Sequence, residues 1–296
     1  MLKKIIGVIL IMVSCMACLF GGCKKDKANE IVAAPKTLKV LAIGNSFSVD
    51  MVHFLYNVAS GMGVEKIIIG NAAIGGCDLD THAQNMQNGA AKYEYYKNTT
   101  GSWSVSQNNL VESCIKDEDW DFITIQQASH YSGQPSSYNN LQKIVNFIKA
   151  NMTNKDAKIF WQATWAYQQN SNNSHFFLYN KDQTTMYNAI INTYKTMVKT
   201  NSDIYGVIPN TTAIQNARTS FIGDNLTVDG YHLNGIGRWI AAMTCYQALT
   251  GHSVETLKHK PSMAMTRAQF DVAKESVINA ISKPLAVTTS KYLQEG

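Results

Sequence analysis

The chain has 296 residues, 45% of them hydrophobic and 16% charged, with a formal net charge of +5. That much apolar material builds a buried core, and so little charge argues against disorder. The positive excess is weak and scattered, with no basic run interleaved with aromatics, so nucleic acid is not an expected partner.

The first residues read as an address and not as fold. Lys3-Lys4 is a positive n-region, Ile5 to Val13 an apolar h-region, and Leu19-Phe20-Gly21-Gly22-Cys23 closes the segment. This is the architecture of a signal peptide, too soon interrupted by Lys24-Lys25-Asp26 for a membrane span. Small residues before a cysteine resemble a bacterial lipobox, with Cys23 as the lipidated residue and Cys18 as an alternative cleavage position. The expectation is an extracytoplasmic lipoprotein, periplasmic or at the cell surface, anchored to the membrane over residues 1–23 and held off it by a polar, Ala-rich tether over 24–36. Cys77, Cys114 and Cys245 remain in the mature chain. Three thiols leave at least one unpaired, which argues against a disulfide scaffold. The seven His are scattered, with no HExxH motif and no CxxC pair in the mature chain, so neither a metal nor another cofactor is expected.

Thr37 to Ile43 is a short apolar run rich in β-branched residues, a buried strand. Val49 to Gly61 carries apolar residues at helical spacing. Lys66 to Ile69 is a second buried strand, and Asp78 to Asn88 a helix with Asp78 as N-cap. Tyr93 to Val105 alternates around Asn98-Thr99-Thr100-Gly101, as a hairpin insertion does. Strands at Asp121 to Ile125, Lys158 to Thr164 and Ile204 to Ile208 then alternate with helices at Ser137 to Asn151, Asp182 to Lys199 and Thr212 to Arg218. Helices at Asn234 to Leu249 and Arg267 to Ile281 follow. The pattern predicts one domain over 37–285: a three-layer α/β/α sandwich around a five-stranded, mostly parallel, flavodoxin-like sheet, with 286–296 as a tail.

Ligands bind at the carboxyl ends of such strands, so the residues just after each strand are the candidates. A serine hydroxyl needs an adjacent base to act as a nucleophile near neutral pH. Ser46 follows Gly44-Asn45 at a strand-to-helix junction, where its backbone N–H would meet developing negative charge. Ser48 is the expected helix cap. His232 is the natural base, and Asp229, three residues earlier, is placed to orient the imidazole. Gly76 offers a backbone N–H close to a substrate oxygen, and Gln126 a side-chain amide, for an oxyanion hole. Trp165 and Tyr167, after the fourth strand, would pack on the C–H faces of a sugar. His130 lacks a neighbouring acid, and Cys77 reads as a small buried residue.

Taken together, Gly44-Asn45-Ser46 after strand one, Asn71-x-x-x-x-Gly76 after strand two and Asp229-x-x-His232 near the end resemble the SGNH hydrolases, also called GDSL esterases and lipases. The resemblance spans nearly the whole mature chain. It implies a Ser46–His232–Asp229 triad, oxyanion donors at Ser46 and Gly76, an acyl-enzyme and no cofactor. Two departures stand out: Asn45 replaces the Asp of the family name, and Gln126-Gln127-Ala128-Ser129 stands where Gly-x-Asn-Asp is usual. Similarity to carbohydrate acetylesterases at that strand end implies Gln126, or alternatively Gln127, as the third donor, with Gln127 otherwise facing substrate. It also implies O-acetyl groups on glycans as substrates. Two rival readings stay open. One is a glycan-binding surface lipoprotein without turnover. The other is a lipid-directed esterase, which calls for an apolar groove beside Ser46.

Overall fold

The computed structural model describes residues 33–293; the leader, Cys23 and residues 24–32 of the tether lie outside the described residues. β1 (Thr37–Gly44) runs into α1 (Ser46–Val52) and α2 (Leu55–Gly61), followed by β2 (Lys66–Ala73) and α3 (Leu79–Gln87). A hairpin of β3 (Tyr93–Asn98) and β4 (Trp103–Asn109) precedes α4 (Val111–Lys116), β5 (Phe122–Ile125), α5 (Leu141–Asn151) and β6 (Lys158–Gln162). Then come α6 (Gln183–Thr193), β7 (Gly206–Ile208), α7 (Asn210–Arg218), α8 (Gly235–Thr250) and α9 (Arg267–Ser282).

The strand order is β4-β3-β2-β1-β5-β6-β7. The strands expected from sequence, β2, β1, β5, β6 and β7, pair in parallel in the doubly wound order. The sheet nevertheless has seven strands and not five. The hairpin does not stand apart as an insertion: β3 pairs antiparallel with β2, and β4 with β3. An isolated two-stranded hairpin is marginal in water, and the outer edge of β2 presents unpaired backbone groups, so docking satisfies both. Its turn uses Gly101 at φ +93°, with the Gly101 N–H donating to Asn98 Oδ1 at 2.8 Å.

Alternation along the strands divides the core. In β1, Leu38, Val40 and Ala42 face a core built with α1, α2, α6, α7, α8 and α9, while Leu41 and Ile43 face one built with α3, α4 and α5. Burial on both faces explains why the central strands read as continuous apolar runs. The helix expected over Val49 to Gly61 is two helices, beginning at Ser46 and breaking at His53 and Phe54. That expected over Asp182 to Lys199 is α6 followed by a π-helical turn at Tyr194–Val198. The segment after α9 returns to α7, where the Thr288 N–H donates to Asn216 Oδ1 at 2.7 Å and the Ser290 N–H to Thr219 Oγ1 at 2.8 Å.

Candidate active site

β1 and β5 are neighbours whose following segments diverge, which opens a crevice at their carboxyl ends. Gly44 must be glycine there, because a Cβ would come within 2.9 Å of the Gln126 side chain. Asn45 caps α1: its Oδ1 accepts the Phe47 N–H at 2.9 Å and the Gln126 amide at 2.8 Å, while its Nδ2 donates to the Cys77 carbonyl at 3.0 Å. One buried side chain thus ties the turn that carries Ser46 to the loop that carries Gly76. Ser48, expected as the cap, instead places its hydroxyl 2.7 Å from the Asn45 carbonyl, inside the helix. Ser46 takes the first helical position, where a backbone N–H has no intrahelical acceptor. Its N–H, and that of Gly76 at φ +65°, have no hydrogen-bond partner among the described residues.

Asp229-Gly230-Tyr231-His232 forms a tight turn organised by its own carboxylate. Asp229 Oδ1 accepts the N–H of Tyr231 at 3.1 Å and of His232 at 2.8 Å, leaving Oδ2 to meet His232 Nδ1 at 2.6 Å. Gly230, at φ +92°, supplies the left-handed residue and lies so close to Ser171 that a Cβ would sit 2.7 Å from its Oγ. On the opposite side of the ring, His232 Nε2 lies 2.9 Å from Ser46 Oγ. Partial burial pushes the Asp229 carboxyl up, but the His232 ring and the two N–H groups outweigh it and hold the acid below its usual range. With the carboxylate on Nδ1, the neutral tautomer leaves Nε2 free to accept the Ser46 proton.

The brace behind this loop was not anticipated. Asp50, four residues after Ser46 and almost fully buried, accepts the Leu233 N–H at 2.8 Å and Arg238 Nε at 2.8 Å. Burial raises the Asp50 carboxyl, opposed by Arg238 and the Leu233 N–H. An acid inside the first turns of an otherwise uncharged helix was the signal available in the sequence. Trp165 adds a second support: it is fully buried, stacks on Phe47 at 4.3 Å and donates from Nε1 to the Tyr231 carbonyl at 2.7 Å.

Ser46, Gly76 and His232 line a cleft of about 430 Å³ together with Tyr167, Tyr231 and Asn173. His130 and His175 stack at 4.4 Å in its wall, and burial together with the neighbouring His175 lowers His130. Tyr167 meets Ser129 Oγ through its hydroxyl at 2.9 Å. Three residues expected to face substrate do not reach the cleft. Gln126 is engaged by Asn45. Gln127 accepts the Leu79 and Ala128 N–H groups and donates to the Ser137 carbonyl. Trp165 acts through the loop above it. A buried amide whose partners are all internal satisfies the core first. Cys77 is buried, and burial pushes its thiol up to about 12, so it stays protonated. Among the described residues, no three His, Cys, Asp or Glu side chains gather as a metal site.

Residues 39–280 match the family model described as "Domain of unknown function (DUF4886)". The crystal structure of a DUF4886 family protein from Bacteroides uniformis is 40% identical, with a TM-score of 0.83 over 87% of this chain and 100% of that one. A candidate SGNH hydrolase from Slackia heliotrinireducens is 16% identical, with a TM-score of 0.50 over 72% of this chain and 99% of that one, a likeness of fold. An acetylxylan esterase from Geobacillus stearothermophilus is 11% identical, with a TM-score of 0.47 over 74% of this chain and 96% of that one. Nothing among curated proteins matches the chain. The α/β architecture is SGNH hydrolase-like.

Proposed function

The chain belongs to the DUF4886 family, and within it we propose a serine esterase that hydrolyses short acyl esters, with O-acyl groups on carbohydrate as the substrate class. The observation that carries this reading is the unbroken relay from Ser46 Oγ to His232 Nε2 at 2.9 Å and from His232 Nδ1 to Asp229 Oδ2 at 2.6 Å. As Ser46 Oγ attacks the ester carbonyl, its proton passes to Nε2 and Asp229 stabilises the imidazolium. The carbonyl oxygen becomes an oxyanion held by the N–H groups of Ser46 and Gly76. His232 then returns the proton to the departing alcohol, leaving an acyl-Ser46. Water, deprotonated by the same nitrogen, releases the carboxylic acid and restores the serine.

The tyrosines, histidines and Asn173 of the cleft suit a polyhydroxyl alcohol better than an alkyl one. The leader sequence supports an extracytoplasmic, lipid-anchored location through Cys23, where esters on surface or environmental glycans are within reach. The engagement of Gln126 by Asn45 favours a second reading, glycan binding without turnover, since it removes one expected donor. Hydrolysis of p-nitrophenyl acetate by the full chain, compared with Ser46→Ala, separates the two. The esterase reading expects turnover that falls by about three orders of magnitude or more in the variant. Equal rates for the two folded proteins would sink it.

A further inference from the structure

Along α1, Ser46, Val49 and His53 are half-buried, whereas Phe47, Ser48, Asp50, Met51 and Val52 are buried. Spacings of three and seven residues from Ser46 lie on one helical face, so the open side of the nucleophile continues down the helix. At 1.5 Å per residue, Val49 is only about 4.5 Å along the axis from Ser46. That face borders a second cavity of about 310 Å³. Its wall is mainly apolar, from Val49 and Val52 of α1, Tyr96 of β3, and Trp103 and Val105 of β4, with His53 at the end of α1. Val105, on the outer strand, is 51% exposed and so lies at the open side of this cavity. Asn71 is fully buried in the lining, and its Nδ2 has no partner among the described residues. Arg238 completes the wall while its Nε holds Asp50, which in turn holds Leu233 beside His232.

The two cavities share no lining residue. The cleft holds Ser46 and Gly76 and extends along His130, Tyr167 and Tyr231, on segments after β5 and β6 and on the His232 loop, whereas the apolar cavity extends from Val49 toward β2, β3 and β4. An ester carbonyl attacked at Ser46 likewise carries its alcohol and its acyl chain in different directions, one suited to polar walls and the other to apolar ones.

Resting on the esterase reading above, we propose that the cavity between α1 and the β3–β4 hairpin is the acyl subsite, and that it takes aliphatic acyl groups longer than acetyl. The hairpin, docked on the edge of the parallel sheet, is then a specificity element. Each methylene that enters the cavity leaves water, which raises kcat/KM by about three- to fourfold.

The experiment compares p-nitrophenyl acetate, butyrate and hexanoate with the full chain and with Val105→Asp, which sets a charge at an exposed position of the apolar wall without disturbing the core. The hexanoate-to-acetate ratio of kcat/KM is expected to exceed about ten in the wild type and to fall by about tenfold in the variant. A ratio at or below one, or one that Val105→Asp leaves unchanged, overturns the subsite while the esterase stands. If no ester is turned over faster than by Ser46→Ala, the esterase reading fails instead, and calorimetric titration with sodium octanoate decides the cavity independently. Saturable binding that Val105→Asp abolishes supports an acyl-chain site; no saturable binding below the micellar concentration overturns it.

Discussion

The Asp50 carboxylate accepts the backbone N–H of Leu233 at 2.8 Å, joining the helix that starts with Ser46 to the loop that presents His232 across 183 residues of sequence. The Ser46–His232 contact spans 186 residues and has no covalent reason to persist. Asp50 supplies a physical one.

Replacing Asp50 by Ala leaves the Leu233 N–H and Arg238 without their acceptor. Because Arg238 is partly open to water, the expected loss of stability is about 2 kcal/mol and not the full cost of an orphaned buried charge. kcat is expected to fall by about tenfold or more with a smaller change in KM, since the loop that carries the base loses its register. Asp50→Asn, which keeps one acceptor, should recover part of both. Urea unfolding and steady-state kinetics check this; an Ala variant with wild-type kcat would remove Asp50 from the positioning of His232.

Asn45 must donate as well as accept, and a carboxylate cannot donate. Asn45→Asp, which restores the residue of the GDSL name, removes the hydrogen bond to the Cys77 carbonyl and sets two oxygens against each other. The expected cost at neutral pH is about 1–3 kcal/mol, measured as a lowered urea midpoint.

Two adjacent glycines should respond differently to the same change. Neither would bring a Cβ within 4 Å of another residue, but only Gly76 has a positive φ. Gly76→Ala is therefore strained by about 1 kcal/mol and should lower kcat by about tenfold through displacement of its N–H. Gly75→Ala should stay within about twofold of the wild type. Parallel kinetics on the two variants decide the matter, and equal losses would count against an oxyanion role for Gly76.

The pH dependence of stability follows from the direction of the Asp229 shift. Its folded pKa lies below its ordinary value of about 3.9, so the unfolded chain binds the proton more readily. The contribution is thus fully present above pH about 4 and lost as pH falls through the lower, folded value. The stability difference between the wild type and Asp229→Asn should shrink as pH falls below that point. Chemical denaturation at several pH values measures it.

Much of this site was legible because its signals are local. The turn from Asp229 to His232 needs an acid, a glycine and a base within four residues, and that spacing alone lets one carboxylate reach two N–H groups and the imidazole. The alternation of apolar strands with helices likewise encodes the parallel sheet, since a strand buried on both faces must be apolar throughout. The hairpin's place was not legible: its alternation tells that Tyr93 to Val105 folds back on itself, but not that β2 offers an edge.

Gln126 and Gln127 mark the limit most clearly. Their position after β5 is where a substrate-facing amide is expected, and the sequence is compatible with either side chain pointing outward. Packing turned both inward, because Asn45 needs a donor on its Oδ1 and the Leu79 and Ala128 N–H groups need an acceptor. By itself, then, the sequence determined the order of the parallel strands and the tight turns, which depend on neighbours a few residues apart. The tertiary structure alone decided the partnerships of Asp50 across 183 and 188 residues, with Leu233 and with Arg238. A buried polar group takes whichever partner the fold brings within hydrogen-bond reach, and chain spacing carries no record of that choice.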